Sequence, residues 1–128
     1  PAAAAATWER IFQLGYHSFP RAPGHEDRTG AEGPHGSSVD IFINDTVDLA
    51  LDAEEGSLSA WPDGSMVVKD AFDAANELVL VAVMEKTAGA WVWTEFDAAG
   101  EPLFQGAPRL CTGCHASGSD FVRSFDLP

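Results

Sequence analysis

Positive charge is scarce in this sequence. Lys and Arg together number 7 against 20 Asp and Glu, for a formal net charge of −13. Such a surface repels nucleic acid and anionic lipid and favours cationic partner proteins. The same charge also serves plain solubility. No apolar run approaches the roughly 18 residues that a membrane span requires. Cysteine is scarcer still: there are 2, both inside one C-x-x-C unit, so a disulfide framework is absent. A charged n-region and an apolar h-region are missing as well. Pro1 to Ala6 are alanine-rich and uncharged, and read as a flexible tail, a mature N-terminus or linker left after processing.

What is present fits a single domain spanning 1–128. Apolar residues make up 45% of the chain, enough to bury a core and a cofactor. Residues 7–16 carry Trp8, Ile11, Phe12 and Leu14 at mixed helical spacing, with Thr7 as a candidate cap. Residues 18–38 are rich in Gly, Pro, His and Ser and read as a long loop, a feature that often lines a site. Val39 to Ile43 alternates as a strand, with Val39, Ile41 and Ile43 on one face and Asp40 and Phe42 on the other. A short helix starts at Asp45. Strands are expected at Ser65 to Asp70, Leu78 to Met84 and Ala90 to Phe96, the last with Trp91 and Trp93 on one face. Thr87-Ala88-Gly89 is short enough for a hairpin, and Asp97 to Gly100 makes a further turn. Pro108 begins a short helix near the C-terminus. The expected fold is α+β, an antiparallel sheet with short flanking helices.

That last helix carries Cys111-Thr112-Gly113-Cys114-His115. Two thiols three positions apart can add across the two vinyl groups of haem, and the histidine that follows then sits under the iron. The motif therefore predicts one covalently bound haem c, attached near the C-terminus through Cys111 and Cys114 and ligated by His115. A zinc site would need further ligands at zinc spacing, and no second Cys or His pair stands near. A thioredoxin-type dithiol would need a βαβ setting, whereas antiparallel strands precede this motif. Residues 116–128 hold no Met, His, Cys or Lys to serve as a sixth ligand. The β-patterned middle also separates the chain from four-helix cytochromes with a late haem motif.

An ordered set of short segments accompanies the haem motif. These are Pro34-His35-Gly36, Ile41-Phe42-Ile43-Asn44, Pro62-Asp63-Gly64-Ser65-Met66-Val67-Val68-Lys69-Asp70, Val83-Met84-Glu85-Lys86, Gly89-Ala90-Trp91-Val92-Trp93 and, after the motif, Asp120-Phe121-Val122. Together they resemble the cytochrome P-460 family, which includes the cytochromes c′-beta, over roughly residues 8–125. The resemblance implies a β-rich homodimer with one five-coordinate haem per chain, periplasmic or otherwise exported. It also implies small gaseous or nitrogenous ligands: nitric oxide in one branch, hydroxylamine oxidation in the other.

Lys69 matches a lysine that, in P-460 proteins, bonds through its side-chain nitrogen to the haem edge. The period of two puts Ser65, Val67 and Lys69 on one face, and burial beside a haem would favour the neutral, reactive amine. A charged edge-strand lysine is the other reading. His35 falls where relatives place a distal residue and could hydrogen-bond a ligand or move a proton; a surface histidine in a Gly-Pro loop is the alternative. Phe42, Val67 and Phe72 are candidates for the distal pocket, although bulky apolar residues are more often plain core. Hydroxylamine-oxidising relatives carry a carboxylate on the strand matching Leu78 to Met84. Here that strand offers none before Glu85, so the expectation leans to nitric oxide binding. Simple electron transfer would need a sixth ligand from Met66, Met84 or His35.

Overall fold

Alanine is the best helix former, and Ala2 to Ala6 are an unbroken run of it. The computed structural model, which describes residues 2–31, 36–107 and 109–128, places this run inside helix α1 (Ala2–Gln13). Residues 2–6, read from composition as a tail, thus form the start of that helix. Ala4 is fully buried and docks the first turn. Thr7 is not a cap either. It lies mid-helix, buried, with its hydroxyl donating to the Ala3 carbonyl at 3.2 Å. Gly15 ends the segment in the left-handed region, φ 65°, which glycine enters without a Cβ clash.

Six strands follow: β1 (Thr29–Gly30), β2 (Ser38–Ile43), β3 (Met66–Phe72), β4 (Leu78–Thr87), β5 (Ala90–Asp97) and β6 (Pro102–Gly106). Each pairs antiparallel with its neighbour in chain order, giving one meandering sheet. Helix α2 (Asp45–Leu51) fills the β2–β3 connection and α3 (Arg109–His115) follows β6. The expected α+β class, an antiparallel sheet with short flanking helices, is therefore found. The β4–β5 hairpin closes on Ala88 and Gly89, φ 50° and 79°, the two positive φ values that a two-residue hairpin turn requires. Asn44 caps α2, accepting from Val47 N at 3.2 Å and also from Met66 N at 3.1 Å, so one side chain ties the helix start to β3. Among the described residues no helix is long and apolar enough to cross a membrane.

Period-two alternation sorts the strands onto two cores. One face carries Phe42, Met66, Val68, Val81, Val83 and Phe96 against Ala4, Ile11 and Tyr16. The other carries Val39, Ile41, Ile43, Val67, Met84, Trp91 and Trp93 beneath α2, Trp61 and the tail residues Val122 and Phe125. Val79 is 41% exposed at the register shift where β3 pairs with Leu78 and Leu80 on either side of it. Helix α1 also reaches β6. Trp8 lies flush on Gly100, where an added Cβ would fall 2.6 Å from the indole, and Gln105 donates to Thr7 Oγ1 at 3.4 Å.

Candidate functional site

Two rows of residues cross the second face of the sheet. Strand register aligns Ile41, Lys69, Ala82, Glu95 and Phe104 in one row, and Ile43, Val67, Met84, Trp93 and Gly106 in the next. Strands sit about 4.8 Å apart, so Lys69 and Glu95 flank Ala82 across about 10 Å of backbone. The small alanine leaves a trough between two longer, ionisable side chains. Opposite stand Cys111, Cys114 and His115 from α3, and Val122, Arg123 and Ser124 from the tail. Sheet and α3 enclose a cavity of about 560 Å³, within the size range of cofactor sites.

The histidine is held from outside the cavity. His115 Nδ1 lies 2.8 Å from the Phe121 carbonyl. The ring therefore donates from Nδ1 and keeps Nε2 as an acceptor, the tautomer a metal ligand needs. Trp93 packs edge-on to the imidazole at 5.5 Å. Burial lowers the His115 pKa, the Phe121 carbonyl opposes that, and Lys69 and Arg123 add to it. Asp120 and Phe121, φ 47° and 67°, form the turn that supplies this carbonyl. Left-handed backbone at non-glycine residues costs about 1–3 kcal/mol each, so the turn stands only because its surroundings hold it.

The electrostatics of the trough follow from burial. Lys69 has its pKa lowered, first by burial and then by Arg123, while Glu95 and Cys114 pull it back up. Glu95 is raised by burial, with Lys69 opposing. Both side chains are thereby moved toward their neutral forms. The Cys111 thiol is pushed up by burial and then by Glu95 and Cys114. Arg123 Nη1 lies 2.7 Å from Cys114 Sγ.

The candidates named from sequence separate clearly. Cys111, Cys114, His115, Lys69, Val67 and Met84 all line the one cavity. Phe42 does not; it lies on the opposite face, edge-on to Tyr16 at 5.7 Å. Phe72 does not line it either: a bulge between Ala71 and Phe72 shifts the register, and Arg28 sits 3.4 Å over its ring. Met66 belongs with Phe42 on the α1 side, which removes it as an iron ligand for this cavity. His35 lies outside the described residues.

Sequence reasoning missed two residues. Glu95 shares a face with Trp91 and Trp93, so the same alternation that aligned the tryptophans pointed to it. His25 comes from the long loop. Its pKa is lowered by burial and then by Lys69, with Glu26 and the Ser124 backbone opposing, and its Nδ1 lies 2.7 Å from Thr29 Oγ1. No local signal marks its approach to Lys69, which depends on how the loop folds over the sheet.

The residues present fit a covalently held haem. Two thiols and an imidazole with no hydrogen bond at Nε2 among the described residues share one wall. Trp93 Nε1 is buried beside the cavity without an acceptor among the described residues, an orphan that a bound group's polar periphery would satisfy. The alternatives fit less well. Among the described residues no group of three or more His, Cys, Asp or Glu could hold a bare metal ion, and the strands around the motif are antiparallel rather than βαβ. No family model matches the chain, and no curated protein matches it.

Proposed function

We propose that the chain is an exported monohaem c-type cytochrome of the P-460 and c′-beta kind, which binds small nitrogenous ligands, nitric oxide foremost, at five-coordinate iron. The observation that carries this reading is the meeting of Cys111, Cys114 and His115 on one wall of a mostly apolar cavity. Haem bound there supplies an iron that takes small neutral ligands and exchanges single electrons. Cys111 and Cys114 would each hold the group through one thioether, and His115 Nε2 would ligate its iron. Val67, Ala82, Met84 and Phe104 exclude water and admit a neutral gas. The net charge of −13 suits a cationic redox partner. Denaturing electrophoresis with haem staining tests the attachment. The stain should co-migrate with the wild-type chain and vanish from Cys111→Ala/Cys114→Ala; stain persisting on the double variant refutes it. The reduced protein should show a high-spin resonance Raman signature. A low-spin spectrum abolished by Met84→Ala would favour simple electron transfer instead.

A second reading, hydroxylamine oxidation, is favoured by Glu95. The missing carboxylate on β4 argued against turnover, but β5 supplies one to the same row. Oxidising hydroxylamine releases protons with the electrons, and Glu95 is within the cavity to accept one. A positioned general base contributes roughly 10²–10⁴ in rate. Glu95→Gln should lower turnover by that factor while leaving nitric oxide affinity nearly unchanged; equal turnover in the variant retires this reading. The proposed Lys69–haem bond belongs to the same branch, and burial favours the neutral amine it requires. Its check is the mass of a haem peptide joined to the Lys69 peptide after digestion.

A further inference from the structure

We infer that Lys86 and Asp120 are positioning residues for His115, acting through the Phe121 carbonyl; the inference rests on the reading of His115 as an iron ligand. The turn Ser119–Val122 is closed by Val122 N donating to Ser119 O at 3.1 Å and Ser119 N to Val122 O at 2.9 Å. Its two central residues are Asp120 and Phe121, both with positive φ. Asn, Asp and Gly favour such a turn, and phenylalanine at positive φ is an outlier, so Phe121 is the strained member. Asp-Phe therefore does not hold this shape by local preference.

Anchors from elsewhere in the chain hold it. Lys86 Nζ, on a side chain 5% exposed, reaches Asp120 Oδ2 at 2.5 Å. Trp61 N donates to the same oxygen at 2.9 Å, and Trp61 Nε1 donates to the Ser119 carbonyl at 3.0 Å. Leu127 N donates to Ser119 Oγ at 3.0 Å. Gly118 makes the close approach that this winding needs, since a Cβ there would fall 2.4 Å from the Val122 carbonyl oxygen.

Lys86 lies on β4, on the face that carries Ala82 and Met84 into the cavity. One ion pair thus fixes the wall that presents His115 relative to the floor beneath it. Without the pair, the turn relaxes toward ordinary negative φ and the peptide plane after Phe121 rotates. The carbonyl then leaves His115 Nδ1. A histidine whose Nδ1–H bond weakens is a poorer donor to iron and is freer to turn.

The test uses the haem-loaded protein. Lys86→Met and Asp120→Asn should each move the iron–histidine stretch of the reduced protein to lower frequency and raise the midpoint potential. Because both act through one bond, the double variant should shift no further than either single one. Val68→Ala, in the core on the α1 side, destabilises the fold by another route and should leave both readouts where they are. Should Asp120→Asn fail to fold, Lys86→Met with Asp120→Leu removes both charges together and carries the same readouts. A wild-type band that all these variants leave unmoved overturns this inference alone. A wild-type chain that carries no haem stain after denaturing electrophoresis overturns the haem reading and this inference with it.

Discussion

Lys69 joins burial to a position on the cavity floor. Burial holds its pKa below the ordinary value of 10.5, so between the two values the unfolded chain binds the proton more readily than the folded one. Its contribution to stability is present in full above 10.5 and is lost as pH falls through the lowered value. Lys69→Met should therefore stabilise the haem-free chain at neutral pH, by about 1 kcal/mol as for other buried polar groups without full compensation. The gain should shrink as pH rises toward 10.5. Thermal melts at pH 7 and pH 10 check this, and a gain that grows with pH would contradict it. At this scale, the residues of the C-x-x-C-H unit and Lys69 were readable from spacing and alternation. Glu95 was readable in principle, being two positions beyond Trp93, but a carboxylate in a strand ordinarily reads as the wet side. Phe42 was misjudged because alternation tells which residues share a face and not which face meets the cavity.

Elements were legible where punctuation was strong. β2, β3 and β5 are legible from alternation, and β4 from a run apolar on both faces, bounded by Pro-Asp-Gly and Ala-Gly turns. β6 did not, because Pro102 opens it and only Leu103 to Gln105 remain to show a pattern. The N-terminal helix was shortened because an alanine run carries no periodicity, although each residue favours the helix. The haem-motif element offers a paired test through its glycines. Gly113 sits inside α3 with nothing within 4 Å of an added Cβ, whereas Gly118 would meet backbone at 2.4 Å. In the haem-free chain, Gly113→Ala should stabilise by about 0.5–1 kcal/mol by favouring the helix. Gly118→Ala should cost about 1–3 kcal/mol through overpacking. Urea denaturation of the two variants measures both signs at once; equal effects would mean that the 118–122 turn is not wound as described.

For the molecule as a whole, charge and topology have separate consequences. A net charge of −13 on 128 residues repels itself in the compact state. Screening lengths fall from about 30 Å at 0.01 M salt to about 8 Å at 0.15 M, so the melting temperature should rise by several degrees over that range. A flat or falling melting temperature would show that local pairs such as Arg21 and Arg28 on Asp40 outweigh the global repulsion. Topology acts in time instead. Five of the six strands pair with a neighbour already made, so the sheet can zip up hairpin by hairpin as the chain emerges. Helix α1 cannot follow that schedule. Trp8 and Thr7 meet Gly100 and Gln105, so α1 waits for β6 before its apolar side is fully covered. Whatever escorts a nascent copy of this chain has Trp8 and Ile11 to shield until residue 105 has followed them out.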